Sequence, residues 1–456
     1  MFEPHFVPFL PPRVRAALHT SSLAAGGGRH TGRVTTVTPA DDNPPPAIPA
    51  RVDLLVVGAG PAGAAAAARA ARQGMDVVLL DAAVFPRDKT CGDGLTPRAH
   101  SAMNALGMGE FLADRPRIRG LELNGWGARQ RVQWPSSPFG PIGTAVSRLE
   151  LDDAIRRFAV EHGARMVEGT KAIGVQVTGG RIESVTLARG DERSQISVKN
   201  VIVADGVRSG LGKSLGRQWH RDTAYGVAAR SYALSERSDA EWMGSHLELR
   251  GPDDELLPGY GWVFPLGGGL VNVGVGALAT AKRPASMALR PVLEHYARMV
   301  GDEWALTAPP ERVTSALLPM GGAVSGIAGA NWMLIGDAAA CVNPLNGEGI
   351  DYALETAEAA VAMLDTASDF SSAWPAHLRS EYGAVFAAAR RAAGLLTLPQ
   401  TVPLLGRPGI RSATLMSTVV RVMGNLLTPE DTDVIARAWR ATGRATSKAE
   451  SRPPFT

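Results

Sequence analysis

The chain has 456 residues, enough for one large or two medium domains with well-buried cores. Hydrophobic residues make up 45% and charged residues 20%, which is typical of a globular protein, and a formal net charge of +3 is too small to indicate nucleic-acid binding. Two cysteines, Cys91 and Cys341, are too few for a zinc site of their own. We therefore expect no metal, no disulfide framework and a reducing compartment.

Residues 1–50 differ in composition from the rest of the chain. They contain Pro-Pro, Gly-Gly-Gly and Pro-Pro-Pro with scattered arginines. A secretory signal needs an apolar core of about 7–15 residues and a transmembrane helix needs about 20. Residues 1–50 contain no such apolar core, and no window of the sequence reaches the length of a transmembrane helix. We therefore expect a disordered leader over 1–50, no signal peptide and no transmembrane helix.

A βαβ unit opens the folded part. The apolar run 52–57 predicts a buried parallel strand, and the run 76–80 predicts a second strand that ends at Asp81. Between them an Ala-rich helix follows a turn with the sequence Gly58, Ala59, Gly60, Pro61, Ala62 and Gly63. In this context the glycine pattern predicts dinucleotide binding, with the pyrophosphate at the helix N-terminus. Asp81 would accept a hydrogen bond from a ribose 2′-hydroxyl, which fits FAD or NAD better than NADP.

The remaining elements follow in chain order. We predict a helix over 148–163, strands over 166–203, an antiparallel sheet over 224–278, a buried strand over 332–335, a helix over 348–365 and a helical tail. This order predicts a mixed α/β chain with a discontinuous FAD-binding domain over 51–135, 143–220 and 312–365. An antiparallel substrate-binding domain would occupy 221–311, and a helical C-terminal region would occupy 366–450.

Two distant blocks decide between FAD and NAD. The first is Asp205-Gly206 after the apolar run 201–204, and the second extends from Gly336-Asp337 to Ile350. Together with the opening turn they resemble the glutathione-reductase-type FAD fold in its hydroxylase-like branch. The resemblance implies that Asp337 holds the ribityl chain and that the turn before Ile350 opens a helix facing the pyrimidine end of the flavin. A helix N-terminus there would stabilise the negative charge of reduced flavin.

The resemblance also implies a set of FAD-binding residues. Arg148 matches the arginine that reaches the cofactor, with a surface salt bridge as the alternative explanation, and Asp205-Gly206 could equally be an ordinary turn. The predicted set is Gly58, Ala59, Gly60, Pro61, Ala62, Gly63, Asp81, Cys91, Gly92, Asp93, Gly94, Arg148, Ala172, Asp205, Gly206, Asp337, Pro344, Gly347, Gly349 and Ile350. Ala340, Glu348 and Asp351 stand where hydroxylases often carry His, Gln and Asn, which argues against oxygen chemistry.

Two further segments narrow the resemblance to the geranylgeranyl reductase family. They are 86–98, which contains Cys91-Gly-Asp-Gly94, and 258–265, which is followed by Asn272-Val-Gly-Val-Gly276. The resemblance implies that the cysteine loop lies beside the isoalloxazine and that Tyr260, Trp262, Phe264 and Pro265 form the wall of a substrate cavity. Alternation along a strand independently places the three aromatic residues on one face, where core packing is the alternative explanation. We predict Cys91, Tyr260 and Trp262 as the catalytic residues.

Within this family, segments 315–325 and 339–351 resemble an actinobacterial branch that saturates one double bond in the isoprenoid tail of menaquinone. The resemblance implies an FAD-dependent reductase acting on a polyprenyl lipid. Geranylgeranyl diphosphate or another prenyl lipid is an alternative substrate. A flavin monooxygenase and a catalytically inactive prenyl-lipid escort protein are alternative functions. The electron donor stays open among NAD(P)H, ferredoxin and a membrane dehydrogenase, because the sequence shows no second nucleotide-binding fold.

The tail carries a basic, partly apolar pattern. Residues 376–450 contain ten Arg or Lys and five Asp or Glu. Residues 411–427 place Leu415, Val419, Val422 and Leu426 in amphipathic order. Such a helix lies either in an anionic membrane surface or over the protein core. We expect peripheral contact with the cytoplasmic face of the cell membrane.

Overall fold

A computed structural model describes residues 48–285, 287–398 and 400–456, so that most of the predicted leader lies outside the described residues. Its strands are β1 (Arg51–Val57), β2 (Val77–Leu80), β3 (Gly94–Leu95), β4 (Gly120–Gly125), β5 (Ala128–Gln133), β6 (Thr144–Ala145), β7 (Arg165–Val167), β8 (Lys171–Thr178), β9 (Arg181–Arg189), β10 (Glu192–Val203), β11 (Gln218–Trp219), β12 (Tyr225–Leu234), β13 (Trp242–His246), β14 (Gly259–Gly267), β15 (Leu270–Ala279), β16 (Glu311–Leu318), β17 (Val324–Ser325), β18 (Ala328–Gly329) and β19 (Trp332–Leu334).

The α-helices of the described residues are numbered in chain order. They are α1 (Pro61–Arg72), α2 (Pro97–Leu106), α3 (Gly109–Ala113), α4 (Arg148–Glu161), α5 (Gly210–Ser214), α6 (Leu289–Met299), α7 (Ile350–Thr366), α8 (Phe370–Leu378), α9 (Ala384–Leu396), α10 (Thr401–Gly409), α11 (Ala413–Met423) and α12 (Val434–Ala449). A 3₁₀ turn covers Gly336–Ala339, and a π-helical segment covers Arg379–Gly383 between α8 and α9. Among the described helices none combines the length and apolarity needed to cross a bilayer.

The first sheet carries the predicted dinucleotide-binding unit. Its parallel strands lie in the order β19-β10-β1-β2-β7, and β18 adds an antiparallel edge strand. β2 and the second half of β1 are fully buried and apolar, as expected for strands covered on both faces. α1 packs between the sheet, α4 and α7, and its run of buried alanines allows this close approach. The predicted mixed α/β architecture with a buried parallel sheet is confirmed.

The second sheet is larger than the sequence indicates. Its order is β16-β12-β15-β14-β13-β4-β5, antiparallel throughout except for the parallel pair β13–β4. The predicted domain boundaries assign 120–133 and 312–318 to the FAD-binding domain, whereas the structure places β4, β5 and β16 in this sheet. Local alternation predicts a strand but not its partner, and β4 pairs with β13 about 120 residues further along the chain.

The C-terminal helices cover the second sheet and its junction with the first. α9 packs against α12 and β15, and α11 packs against β5. In and just after α11, Met416, Val420 and Leu426 are buried in a cluster with Ile118 and Val132. The amphipathic pattern over 411–427 therefore reflects a helix over the core, the second of the two predicted arrangements. Leu415 is the exception, since it is exposed.

Candidate active site

The glycines of the opening turn have different surroundings. Gly58 adopts a φ of +101°, and a Cβ there would lie 2.3 Å from the carbonyl oxygen of Ala204. A Cβ on Gly63 would lie 1.8 Å from the carbonyl oxygen of Gly58. A Cβ on Gly60 would meet nothing nearer than the Arg87 guanidinium, at 3.5 Å. Gly58 and Gly63 are thus required by packing, whereas Gly60 leaves the N-terminus of α1 open to a phosphate group.

Asp81 directly follows β2, and its carboxylate lies beside the glycine turn. Its Oδ2 accepts a hydrogen bond from the amide of Ala59 at 2.7 Å, and its Oδ1 accepts one from the amide of Ala83 at 2.8 Å. A carboxylate has about four acceptor positions, so capacity remains for the hydroxyls of a ribose. The amide of Thr170 donates to the Asp81 carbonyl at 2.9 Å, which brings the start of β8, with the buried Ala172, close to this end of the site.

Arg148 lies among the three sequence blocks rather than at the surface. Its guanidinium is 4% exposed and donates two hydrogen bonds, of 2.6 and 2.7 Å, to the buried Asp152, which also accepts one from Arg87 at 2.8 Å. The surface salt bridge is therefore the wrong alternative. An Arg148 Nη atom lies 3.9 Å from the Cβ position of Gly60, and the Arg148 charge also lowers the pKa of Asp337. Contact of Arg148 with the cofactor stays a prediction.

Asp337 marks the other end of the site. Gly336 adopts a φ of +56°, and the Asp337 carboxylate lies 2.9 Å from the Lys89 ammonium. Burial opposes the ionisation of Asp337, but the charge and hydrogen bond of Lys89 and the charges of Arg148 and Arg217 together outweigh it and lower the pKa of the carboxyl below its ordinary value. A Cβ on Gly349 would lie 3.2 Å from Asp337 Oδ1, so the glycine turn folds directly over this carboxylate. The sequence reasoning missed Lys89, although it lies in the segment 86–98.

The remaining residues of this loop are close together. Gly347 adopts a φ of +80°, and its amide donates to the Asn343 carbonyl at 3.0 Å. Pro344 lies within the same turn, and Ile350 begins α7. The turn therefore places the N-terminus of α7 beside Asp337, and the position of this N-terminus relative to the flavin stays a prediction.

Asp205 has a local structural partner. Its Oδ2 accepts a hydrogen bond from the amide of Leu211 at 2.9 Å, at the start of α5, and burial raises the pKa of its carboxyl. Gly206 adopts a φ of +74°, and a Cβ there would lie 3.8 Å from the Lys89 ammonium. The backbone of Gly206 thus adjoins the Lys89–Asp337 pair. Binding of the cofactor by Asp205 stays a prediction.

The cysteine loop is fastened to the second sheet by Asn272. Its amide nitrogen donates to the Cys91 carbonyl at 2.8 Å and to the buried carboxyl of Asp93 at 2.9 Å. Its oxygen accepts a hydrogen bond from the Trp262 indole at 2.9 Å. Burial raises the pKa of the Cys91 thiol despite the opposing Arg148 charge, so Cys91 stays a neutral thiol at neutral pH. Both cysteines are free.

The aromatic residues of β14 form a continuous row against this loop. The ring centroids of Tyr260 and Trp262 are 5.6 Å apart, and those of Trp262 and Phe264 are 6.2 Å apart. Cβ atoms on Gly92 and Gly94 would lie 3.4 and 3.2 Å from the Phe264 ring, so the glycines allow the loop to pack directly on the row.

Pro265 does not share the face of the aromatic row. Successive side chains of a strand point to opposite faces, so Pro265 lies on the side of Val263. Val263 belongs to the cluster that packs against α6. The structure therefore brings together three of the four predicted wall residues, and it adds Asn272 to them. The signal for Asn272 was present in the sequence, since it opens the segment 272–276.

Together the two ends of the site define a flavoprotein. The family model described as "FAD binding domain" matches residues 51–367. Menaquinone reductase of Mycobacterium tuberculosis is 56% identical over 405 residues, covering 89% of this chain and 98% of the relative. Menaquinone reductase of Mycolicibacterium smegmatis is 56% identical over 409 residues, covering 89% and 99%. Digeranylgeranylglycerophospholipid reductase 1 of Methanopyrus kandleri is 30% identical over 354 residues, covering 75% and 90%.

Solved structures agree on the fold. A geranylgeranyl bacteriochlorophyll reductase-like protein from Thermoplasma acidophilum superposes with a TM-score of 0.67 at 21% identity, covering 88% of this chain and 98% of that chain. A flavin-dependent brominase superposes with a TM-score of 0.65 at 17% identity, covering 88% and 100%. The chain belongs to the FAD-binding-domain family and, within it, to the geranylgeranyl reductase family together with the menaquinone reductases.

FAD is the cofactor of this family, and the residues present fit it. Gly60 leaves an approach to the N-terminus of α1 that a Cβ would fill, and Asp81 keeps acceptor capacity for a ribose. At the other end, Asp337 lies beneath the Gly347-x-Gly349 turn and beside Lys89. The cofactor therefore has partners of suitable chemistry for its pyrophosphate, its adenosine ribose and its ribityl chain.

Proposed function

We propose that this protein is an FAD-dependent reductase that saturates one C=C bond in the polyprenyl side chain of menaquinone. The observation that carries the proposal is the 56% identity to two menaquinone reductases across almost their whole length. The packing of the cysteine loop on the aromatic row of β14 supports it, because such a row offers an apolar surface to an isoprenoid chain.

The reaction assigns definite tasks to the residues of the chain. Reduced FAD supplies the hydride when it is bound. An isolated alkene has no carbonyl that a hydrogen-bond donor could polarise, so the protein must align the alkene and exclude water. We propose that Tyr260 and Phe264, which are both half-buried, contact the alkene and that Trp262 supports them from a buried position. Asn272 fixes Trp262 and the Cys91 loop relative to each other.

Reconstitution of the purified protein tests the proposal. Protein loaded with FAD is incubated with menaquinone under dithionite without oxygen, and the lipids are analysed by mass spectrometry. The expected product has gained two hydrogen atoms in its side chain. A parallel reaction with geranylgeranyl diphosphate tests the alternative prenyl substrate, and NADPH under oxygen tests for gain of an oxygen atom. Unchanged menaquinone in a reaction with confirmed flavin would refute the proposal.

We further propose that α10 is the part of the protein that contacts the membrane. Leu404 and Leu405 are 72% and 60% exposed, and the exposed Arg407 and Arg411 follow on the same helix and at its end. Exposed leucines beside arginines are the pattern of a segment that inserts into the surface of an anionic bilayer. Trp126, at the tip of the β4–β5 hairpin, packs against Gly406 and holds α10 at the outer end of the second sheet.

Sedimentation with vesicles tests this contact. The double substitution Leu404→Glu with Leu405→Glu is expected to abolish binding to vesicles containing phosphatidylglycerol, because two carboxylates would enter the apolar layer. Ile173→Glu with Val177→Glu is the matched control, since both side chains are exposed on β8 at 45% and 46%. Equal sedimentation of the two double variants would contradict the assignment to α10.

A further inference from the structure

Two buried carboxyl groups lie at the start of α7, directly beside the glycine turn of the cofactor site. Asp351 is 1% exposed, and within the described part of the chain neither of its carboxyl oxygens has a hydrogen-bond partner. Glu348 lies three residues earlier, and its Oε2 is likewise inaccessible to solvent and without a partner among the described residues. The mechanism outlined above uses neither group.

Arg98 is the cation beside these carboxyl groups, and its guanidinium already donates hydrogen bonds to other groups. Arg98 donates two hydrogen bonds, of 2.7 and 2.8 Å, to Glu355 and a third, of 2.9 Å, to the Asn425 carbonyl. Its Nε lies 3.8 Å from Asp351 Oδ2. One guanidinium therefore faces three carboxyl groups, those of Glu348, Asp351 and Glu355.

A proton on the Glu348–Asp351 pair reduces the excess of negative charge around the single guanidinium of Arg98. Two ionised carboxylates buried beside one shared cation are costly, and protonation of one of them removes the cost. Burial raises the pKa of both groups, and repulsion from the neighbouring carboxylate adds to it, Asp351 acting on Glu348 and Glu355 on Asp351. The charge of Arg98 lowers the pKa of both groups, and the Thr96 hydroxyl and the Asn346 amide lower that of Glu348, but by less than burial and repulsion raise it. The pair therefore retains a proton at neutral pH.

The pair lies at the Tyr260 end of the aromatic row. The Tyr260 hydroxyl donates to the Asn346 carbonyl at 3.1 Å, and the Asn346 side-chain oxygen accepts from the amide of Glu348 at 2.9 Å. Burial, then the charges of Glu348 and Cys91, raise the pKa of Tyr260 to about 12. The phenol, the thiol and the carboxyl thus lie within electrostatic reach of one another.

Saturation of an alkene requires a proton as well as a hydride, and these three groups differ as acids. The Tyr260 phenol already donates to a carbonyl, and its raised pKa makes it a weak acid. Burial makes the Cys91 thiol a weaker acid than usual. General acid catalysis is most efficient when the pKa of the donor lies near the working pH, and of the three groups a buried carboxylic acid comes nearest.

We propose that Glu348 is the proton donor to the alkene and that Asp351 is a positioning residue that keeps the proton on Glu348. The inference rests on the proposed reductase function. Bound reduced FAD would supply the hydride, whose electron pair would form a C–H bond at one alkene carbon. The π electrons of the alkene form the second C–H bond with the proton of Glu348. The resulting Glu348 carboxylate then takes a proton from solvent, and the flavin is left oxidised.

Substitution at Glu348 with matched controls tests the proposal. Glu348→Gln keeps the size of the side chain but lacks the acidic proton. The rate at which the menaquinone side chain is saturated is therefore expected to fall by on the order of 10²–10⁴-fold. FAD content and reduction by dithionite are expected to stay as in the wild type, and Glu348→Asp is expected to restore part of the rate. Glu358→Gln is the control, because Glu358 lies on α7, which begins two residues after Glu348, and its side chain is 57% exposed.

Two readouts separate proton donation from a structural role. Infrared difference spectra of the oxidised holoenzyme, titrated from neutral to alkaline pH, are expected to show a protonated-carboxyl band that Glu348→Gln removes and Glu358→Gln retains. The wild-type rate should fall as the pH rises through the range in which this carboxyl loses its proton. Asp351→Asn should shift both the pH at which the band disappears and the pH at which the rate falls. The inference would be overturned if the wild-type protein saturates the menaquinone side chain and the Glu348→Gln protein either does so at the same rate or keeps the protonated-carboxyl band. Wild-type protein without product would instead overturn the proposed function.

Discussion

The three glycines of the opening turn differ in the space around them, and this difference can be tested directly. Gly60→Ala is expected to leave folding intact, because the new methyl group would meet nothing nearer than the end of the flexible Arg87 side chain, at 3.5 Å. It would, however, occupy the approach to the helix N-terminus, so FAD affinity should fall by about tenfold or more, equivalent to about 1.4 kcal/mol. Flavin fluorescence titration measures the affinity, and thermal unfolding of the apoprotein measures stability.

Two further substitutions serve as controls for this prediction. Gly63→Ala is expected to destabilise the fold itself, because its methyl group would lie 1.8 Å from a backbone oxygen that cannot move freely. Gly210→Ala should change neither property, since no atom lies within 4 Å of its Cβ position. FAD binding by Gly60→Ala protein with the wild-type affinity would show that the phosphate does not approach at this position.

Asp93 should make the stability of the protein dependent on pH. Burial, opposed mainly by Arg230, raises the pKa of Asp93 to about 6. The folded protein thus binds this proton more tightly than the unfolded chain does. The resulting contribution to stability is complete below the ordinary carboxyl pKa and is lost as the pH rises through about 6. Asp93→Asn keeps an oxygen that can accept the hydrogen bond from Asn272 but cannot ionise.

The free energy of unfolding in urea measures this effect. Relative to the wild type, Asp93→Asn protein is expected to gain roughly 1–3 kcal/mol between acid pH and pH about 8, because each pKa unit corresponds to about 1.4 kcal/mol. Asp191→Asn is the control, since Asp191 is exposed in the turn between β9 and β10. A stability difference between Asp93→Asn and wild type that stays constant with pH would contradict the raised pKa.

At the level of elements, β15 shapes the site because its glycines leave space for the Trp262 indole. A Cβ on Gly274 would lie 2.0 Å from the Trp262 indole, whereas one on Gly276 would lie 3.3 Å from it. Gly274→Ala must displace the indole and lengthen its 2.9 Å hydrogen bond to Asn272. We expect a loss of about 1–3 kcal/mol in the free energy of unfolding, as for other overpacked cores, and an altered near-ultraviolet circular dichroism spectrum. Gly276→Ala should cost less, and equal costs would contradict the assigned contact.

The same elements show what sequence can and cannot predict. The turn after β1, the helix α1 and Asp81 lie within a few tens of residues, so spacing alone predicts their arrangement, down to the end of the strand that carries Asp81. The pair of Lys89 and Asp337 joins residues 248 positions apart, and no local pattern links them. The sequence also left two arrangements of α11 open, because periodicity identifies an amphipathic helix but not what covers its apolar face.

Across the whole molecule, the segment after α11 connects the C-terminal helices to the cofactor site. The Met423 carbonyl accepts hydrogen bonds from the side chains of Asn343 and Asn346, at 2.7 and 3.0 Å. The Asn425 carbonyl accepts one from Arg98, which is in turn held by Glu355 of α7. The loop that folds over Asp337 is therefore fastened to helices that lie outside the FAD-binding domain. Cofactor binding and the order of these helices should be coupled.

Hydrogen exchange with and without FAD tests this coupling. Binding stabilises the folded state by about 2.7 kcal/mol at an FAD concentration of about 100 times its dissociation constant, which slows exchange by up to roughly 100-fold in every segment that opens only after FAD is released. We expect this protection in α1 and also in α11, but not in the hairpin of β8 and β9. Serine at positions 343 and 346 keeps an oxygen for the turn but is too short to reach Met423. In the variant Asn343→Ser with Asn346→Ser, FAD should still protect α1 but no longer α11, whereas unchanged protection of α11 would show that the two regions are not coupled through these hydrogen bonds.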